Sequence, residues 1–189
     1  MLLVTHDLNE ARLLADRLVV IDAGQVLQEG SPSDIHNAPR NARVADLVGI
    51  HNRFHGQWLG PADQPGWGRL RWTPEAGAED HAPVLTVRDK GKLPLNQVVT
   101  WVIPGDAITL LSRPAQGEDE FDAEVCEARH LGEITLATLA LAAVAGAQMR
   151  VTLSGPQRKL LSLGARLGIH LDRYRIHVMP LRAVQRRKP

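Results

Sequence analysis

Short apolar runs, each interrupted by glycine or proline, dominate the chain after about residue 51. Between Phe54 and Val87, three tryptophans lie among many such turn residues. Aromatic runs of this length, broken by turn residues, predict β-hairpins or long loops. We expect strands near 52–58, 68–73 and 84–88, and loops at 63–66 and 74–83.

The C-terminal half continues this β pattern. Two β-branched runs, 98–103 and 107–111, flank the turn signal Pro104-Gly105-Asp106. Residues 136–144 are alanine-rich and also fit a helix, and a short helix is expected at 156–163. Further strands are expected at 121–127, 133–141, 148–153 and 173–178. Residues from about 51 onward therefore predict a small closed β-barrel.

Residues 1–50 have the pattern of a compact α/β unit. Leu2–Thr5 is a continuous apolar run, which is typical of a strand buried on both faces of a parallel sheet. Asp7 is a suitable N-cap for the helix that follows, with Glu10 at the capping-box position. The apolar stripe of that helix consists of Leu8, Ala11, Leu14 and Ala15.

A hairpin and two further helices complete this unit. Runs 17–22 and 25–28 flank an Ala-Gly turn, which predicts a two-stranded hairpin. Ser31, followed by a proline, predicts a short helix through about His36. Asn41 is expected to cap another helix with Val44, Leu47 and Val48 inside, and Gly49 is expected to end it.

Composition and charge narrow the classes of function. The 44% apolar and 23% charged residues are close to globular averages of about 45–50% and about 25%. A net charge of +1 gives no broad positive field, so we expect no nucleic-acid partner. The single cysteine, Cys126, suits a reducing cytoplasm. The longest weakly polar stretch, 136–147, is about half of the roughly 20 residues that a membrane-spanning helix needs, and no secretory signal is recognised at the N-terminus.

The segment from Leu3 to Gly30, which begins Leu-Val-Thr-His-Asp-Leu-Asn-Glu-Ala, carries the most specific signal. Together with Pro39 and Val44–Gly49, it closely resembles the end of the nucleotide-binding domain of ATP-binding-cassette importers. The resemblance implies that His6 is the switch histidine, which contacts the γ-phosphate of ATP and helps to position the attacking water. His6 is therefore our candidate for both the catalytic and the cofactor-binding residue, and we predict no metal-ligating residue.

The chemistry of phosphoryl transfer is consistent with a histidine in this role. The transition state spreads charge over the γ-phosphate oxygens, so a protein contributes mainly positioning and electrostatic stabilisation. A histidine at the carboxyl end of a parallel strand stands where open α/β sheets bind ligands, and one ring N–H can donate to a phosphate oxygen. The alternative is a histidine that merely caps or fills the end of a strand.

The rest of an ATP site is not found in the sequence. The phosphate-binding pattern G-x-x-x-x-G-K-[ST] is absent: Gly91-Lys92 is nearest, but Leu93 follows it and Thr86 takes the place of the first glycine. No apolar strand ending in acidic residues precedes His6. Residues 153–158, Leu-Ser-Gly-Pro-Gln-Arg, are similar to the family's signature, but they follow His6 and contain a proline, so we interpret them as a helix start. We expect this chain alone to lack ATPase activity and to need no cofactor, whereas the complete protein would use ATP and Mg.

Residues 51–189 resemble the accessory domain of the same importers, an oligonucleotide/oligosaccharide-binding (OB) type barrel, most closely its molybdate-importer version. Residues 52–56 resemble its first strand, while Ile103 and Gly105 replace an expected Arg and Glu. The fold class is thus mainly β, with an α/β remnant of a P-loop nucleotide-binding domain at 1–50 and the OB-like accessory or regulatory domain at 51–189. Ala128–His130 is a weak match to an oxyanion-binding turn.

The resemblance implies the C-terminal portion of the ATP-binding subunit of a bacterial importer of the molybdate, sulfate or related oxyanion group. Such a subunit would form a homodimer, bind membrane permease subunits and lie in the cytoplasm, peripheral at the inner face of the membrane. The alternative is a stand-alone oxyanion-binding or regulatory barrel without ATPase activity. For oligonucleotide binding by the barrel, the sequence offers few candidate residues beyond Arg69, Arg71 and Trp72. A zinc site at His51 and His55 would need a third ligand, which the sequence does not indicate. The opening strand would leave apolar surface bare, so we expect dimerisation, swapping or disorder of residues 1–20.

Overall fold

The computed structural model describes residues 2–6, 8–73 and 82–181. In this part of the chain the helices are α1 (Leu8–Leu14), α2 (Pro32–Asn37) and α3 (Ala42–Leu47). The strands are β1 (Leu18–Asp22), β2 (Gln25–Gly30), β3 (Asn52–Pro61), β4 (Trp67–Thr73), β5 (Val84–Arg88), β6 (Val98–Ile103), β7 (Ile108–Leu111), β8 (Glu120–Leu131), β9 (Ile134–Leu141), β10 (Gln148–Ser154), β11 (Arg166–Leu171) and β12 (His177–Pro180).

The strands after α3 form two antiparallel sheets of five strands each. The first sheet has the order β12-β6-β3-β4-β5, and the second has the order β10-β9-β8-β11-β7. The chain leaves the first sheet after β6, through a 3-10 turn at Gly105–Ala107, and returns to it only for β12. The fold is mainly β, as predicted, and its strands after α3 are divided between two five-stranded sheets.

One large core fills the space enclosed by these sheets. Its centre is aromatic: the rings of Trp72 and Trp101 meet edge to face with centroids 4.6 Å apart, and Phe54 lies 4.7 Å from both rings. The ring of Trp58 packs against Gly68 of β4. A Cβ atom at position 68 would lie 2.0 Å from that ring. The tryptophans that the sequence places between turn residues are therefore core residues.

The N-terminal unit forms as the local sequence signals predict. Ala23 and Gly24 adopt φ of 48° and 75°, the left-handed values that a tight turn between β1 and β2 requires. The Ser31 side chain accepts from the Asp34 backbone N–H at 3.1 Å, which caps α2. The Asn41 side chain caps α3 in the same way by accepting from the Val44 N–H at 2.9 Å.

A second, smaller core joins this unit to the first sheet. It contains buried residues from β1, α2, α3 and the segment that follows α3. Val102 of β6 and Met179 of β12 complete it from the sheet side. Because one apolar cluster includes side chains from both parts, the N-terminal unit packs directly against the β portion.

The predicted opening strand does not form. Leu2–Thr5 has no strand pairing, and Leu2 and Val4 are 91% and 90% exposed. A parallel-sheet strand needs neighbours on both sides, and the described residues offer none beside it. The side chains of Leu13 and Leu14 at the end of α1 are also exposed. The bare apolar surface that we expected is therefore present.

Other predictions are wrong in detail. Residues 173–178 contain a 3-10 turn at Arg173–Arg175 followed by β12, and the strand β11 was missed. Residues 156–163 contain only a 3-10 helix at Pro156–Leu160. The alanine-rich run is strand β9, because β8 and β10 pair with both of its edges. Leu47 is partly exposed rather than inside α3. The Asp7 cap, most of the 74–83 loop and the C-terminal tail lie outside the described residues.

Candidate functional site

His6 lies at a bend between the apolar segment 2–5 and α1, and its side chain is exposed. His6 follows the apolar run in the sequence, but because that run forms no strand, His6 does not lie at the carboxyl end of a parallel strand in this structure. The side chain of the preceding residue contacts α1, because Thr5 Oγ1 donates to Glu10 Oε2 at 2.9 Å. An exposed imidazole at this bend is open to a partner from outside the described residues.

Exposed apolar side chains lie before and after this bend in the sequence. Leu2, Leu3 and Val4 precede His6, and Leu13 and Leu14 end the helix that follows it. Apolar side chains on the outer face of the β1–β2 hairpin, Val19, Ile21 and Val26, are exposed as well. These apolar side chains are therefore not covered by the described residues.

A cleft of about 770 Å³ lies where the N-terminal unit meets the β portion, and we call it the junction cleft. Arg12 and His36 line it from the helices, while Asp106, Arg129 and Arg150 line it from the β portion. It therefore has mixed charge, with arginines from both parts of the chain beside carboxylates.

His36 is the buried titratable group of the junction cleft. Its Nε2 atom is 4.0 Å from Asp106 Oδ1, and Arg175 Nη2 donates to the same carboxylate at 3.2 Å. Burial lowers the pKa of His36 below its usual value, and the positive charge of Arg12 acts in the same direction. Asp106 only partly offsets these effects, so His36 is neutral at neutral pH.

Asn52 fastens the two sheets together at the edge of this cleft. Its Nδ2 donates to the Arg150 carbonyl at 2.8 Å, and its Oδ1 accepts from the Arg150 N–H at 2.6 Å. These bonds join β3 of the first sheet to β10 of the second. Asn52 is 3% exposed, but Arg150 is exposed, so the pair of bonds is part-buried.

The predicted oxyanion turn is not a turn. Ala128–His130 lies within the continuous strand β8, paired to β9. Successive backbone N–H groups of an extended strand point to opposite edges, so those of residues 128–130 cannot converge on an anion. Arg129 does line the junction cleft, whereas His130 Nδ1 lies 2.9 Å from Thr135 Oγ1.

A second cleft, of about 680 Å³, contains four positively charged side chains: Arg40, Arg88, Lys90 and Lys92. We call it the basic cleft. Lys90 Nζ lies 3.1 Å from Nδ1 of His177, which also lines the cleft. Burial lowers the pKa of His177 to about 4, and Lys90 contributes in the same direction. Sequence reasoning missed this cleft because its cations come from separate segments that form no motif.

The remaining sequence candidates have structural roles. Trp72 is 1% exposed in the core, so it cannot stack on a nucleic-acid base. Gly155, with φ of 72°, and Pro156 form the turn from β10 into a 3-10 helix, as we interpreted residues 153–158. The described residues contain no cluster of three metal-ligating side chains. None of the helices in residues 2–6, 8–73 and 82–181 has the length and apolarity to span a bilayer.

Comparison with known proteins shows sequence similarity to the ATP-binding subunits of ATP-binding-cassette importers, as the resemblance predicted. A stretch of 59 residues is 46% identical to a spermidine/putrescine import ATP-binding protein, PotA, from Mycoplasma genitalium, and covers 31% of this chain and 11% of that protein. A longer stretch of 85 residues is 39% identical to the sulfate/thiosulfate import ATP-binding protein CysA from Caulobacter vibrioides, and covers 45% of this chain and 24% of that protein. The matches thus span less than a quarter of these relatives' length. No family model matches the chain.

Comparison with solved structures supports the OB-type fold. The cytoplasmic molybdate-binding protein ModG superimposes with a TM-score of 0.55 at 13% identity. The likeness covers 70% of this chain and 98% of ModG. At this identity the match shows likeness of fold alone.

Proposed function

We propose that this chain is the C-terminal portion of the ATP-binding subunit of a bacterial importer, in which ATP hydrolysis drives solute uptake. The carrying observation is the exposed His6 next to an uncovered apolar segment. Together with the similarity to importer ATP-binding proteins, it supports a place for His6 at the nucleotide, with the apolar segment packed against the rest of the nucleotide-binding domain.

In this proposal His6 donates one ring N–H to a terminal phosphate oxygen and helps to hold the attacking water. A neutral or charged imidazole can make this bond, and it stabilises charge that grows on the γ-phosphate oxygens. ATP and Mg would be held by residues outside this chain, because the sequence has no G-x-x-x-x-G-K-[ST] loop. This chain alone is expected not to hydrolyse ATP.

The proposal assigns residues 1–50 to the nucleotide-binding domain and residues 51–189 to an accessory or regulatory domain. The presence of two cores supports this division, and Val102 and Met179, which the β portion contributes to the smaller core, would couple the two parts. The complete subunit would pair with a second copy, bind membrane permease subunits and sit in the cytoplasm at the inner face of the membrane.

A chimera tests the role of His6. Residues 1–189 would replace the corresponding C-terminal part of the Caulobacter vibrioides CysA protein, and ATP hydrolysis would be measured. We expect the chimera to hydrolyse ATP and His6→Ala to lower kcat at least 100-fold, which corresponds to about 2.7 kcal/mol of transition-state stabilisation. His51→Ala, which removes an exposed histidine elsewhere, should leave kcat within twofold. An active His6→Ala chimera would refute the proposal.

The second candidate function is a stand-alone oxyanion-binding module. The fold likeness to almost the whole of ModG favours it, as does Arg129 in the junction cleft. Calorimetry of the chain with molybdate, tungstate and sulfate tests it. Saturable binding that Arg129→Gln weakens would support this function, and no heat with any of the three would exclude it.

A further inference from the structure

The basic cleft gathers positive charge from both parts of the chain. Arg40 lies between α2 and α3 of the N-terminal unit, while Arg88 ends β5 and the two lysines lie in the loop that follows it. Like charges repel, so bringing four cations to one cleft costs free energy unless an anion offsets it. In the described part of the chain, Arg88 alone among the four cations stacks on aromatic rings. Its guanidinium carbon lies 5.6 Å from the centroid of the Tyr174 ring.

Carboxylates of the described residues do not neutralise this charge. The ion pairs formed within 2–6, 8–73 and 82–181 include none of the four cations. Glu29 also lines the cleft, but it is paired with Arg17. Asp89, next to the lysines in sequence, is not among the residues that line the cleft. The cleft therefore keeps a net positive charge.

His177 holds one of the lysines in place. An ammonium group only donates, so Lys90 donates to Nδ1 of His177, which must then be neutral. Pro39, next to Arg40, lines the same cleft. The imidazole thereby links β12 to the loop after β5 at the wall of the cleft. Such a fixed arrangement lowers the ordering cost of binding.

The size of the cleft points to a ligand larger than a simple ion. Its volume of about 680 Å³ lies within the range of about 300–1,000 Å³ of small-molecule sites, and a water molecule takes about 30 Å³. Leu27, Leu93 and Val178 add apolar wall beside the charged groups. The cleft can therefore surround both several anionic oxygens and carbon atoms.

We propose that the basic cleft binds a small molecule with two or more negative charges on phosphate-type groups, held by Arg40, Arg88, Lys90 and Lys92. This inference goes beyond the proposed function, because it uses neither His6 nor the junction cleft. The ligand can be an inorganic polyphosphate or a phosphorylated organic molecule, since both present the same anionic oxygens to the cations. Binding would bridge the N-terminal unit and the β portion.

Calorimetry at about 20 mM salt tests the proposal with two probes, pyrophosphate and fructose 1,6-bisphosphate. We expect saturable binding of at least one probe, and a lower affinity when salt is raised, because counter-ions screen the cations. Tighter binding of fructose 1,6-bisphosphate assigns an organic ligand, and tighter binding of pyrophosphate assigns an inorganic one. No saturable binding of either probe at 1 mM would overturn the proposal.

Charge-reversal variants locate the binding. The double variant Lys90→Glu/Lys92→Glu should lower the affinity for the better probe at least tenfold. Arg40→Glu should have the same effect from the other wall of the cleft, and it leaves the Lys90–His177 contact intact. The control is Arg69→Glu/Lys159→Glu, which changes the net charge by the same amount as the lysine double variant but at positions outside this cleft. It should leave the affinity for the probe within twofold. Equal losses in the control and the cleft variants would overturn the proposal. His6→Ala should not affect this binding, so the test is independent of the ATPase chimera.

Discussion

Asn52→Ala should destabilise the protein strongly, because this side chain satisfies two backbone groups at once. Removing it leaves the N–H and C=O of Arg150 without partners in a part-buried position. Each unsatisfied buried group costs about 1–3 kcal/mol, and partial access to water favours the lower half of that range. We therefore expect a loss of about 2–4 kcal/mol, or a Tm lower by roughly 4–16 °C for a chain of this size.

Urea unfolding followed by tryptophan fluorescence measures this loss, since Trp58, Trp72 and Trp101 are buried. Asn37→Ala, on an exposed position of α2, is the matched control and should change stability by less than about 0.5 kcal/mol. Asn52→Asp should be destabilised at pH 7 and partly recover at low pH, because only the protonated carboxyl can donate to the Arg150 carbonyl. An Asn52→Ala variant as stable as the wild type would refute the role of this link.

Three further perturbations test other parts of the structure. The pKa of His177 is lowered from 6.5 to about 4, so between these two pH values the folded state binds fewer protons than the unfolded state. The contribution of His177 to the free energy of unfolding is therefore present above pH 6.5 and is lost as the pH falls toward 4. Between about pH 7.5 and 5 this single group should remove about 2 kcal/mol of stability in urea unfolding, and His177→Gln should lack that part of the pH dependence. Gly68→Ala should cost about 3 kcal/mol by the same measurement, because the new methyl group would overlap the Trp58 ring. Leu13→Glu/Leu14→Glu should leave stability within about 0.5 kcal/mol yet reduce self-association in analytical ultracentrifugation, since both side chains are exposed.

Each of these predictions has a contradicting result. An unchanged pH profile in His177→Gln would show that this imidazole titrates normally in the folded protein. For the glycine, Gly30→Ala is the control: its new Cβ would lie 3.7 Å from Ile35, an ordinary contact, so equal losses at both glycines would contradict the packing argument. A leucine double variant that unfolds would show that α1 packs against something essential.

Local signals in the sequence were sufficient for the elements that depend on neighbouring residues. The caps at Ser31 and Asn41 and the turn at Gly24 act over three or four positions, so their helices and hairpin were predicted correctly. Strand β11 was missed because its partners β7 and β8 are far away in the sequence. The strand prediction at Leu2–Thr5 failed for a related reason, since an apolar run becomes a strand only beside partners.

The candidate site could be predicted only in part, because here too the sequence signals are local. His6 became the candidate because one short segment carries the family resemblance, whereas the exposure of its side chain could not be predicted from the sequence. The basic cleft needs β12, the loop after β5 and the α2–α3 connection to meet, and no spacing rule links residues 40 and 177. The Asn52–Arg150 link spans 98 positions and could not have been predicted for the same reason.

Photolabelling of the ATPase chimera tests the central claim most directly. An ATP analogue with a photoreactive group on the γ-phosphate would be bound, irradiated and mapped by mass spectrometry after trypsin digestion. Our account predicts label on the peptide that ends at Arg12 and contains His6, with competition by unlabelled ATP. Label that competes with ATP but falls entirely on other peptides would contradict the claim that His6 reaches the terminal phosphate.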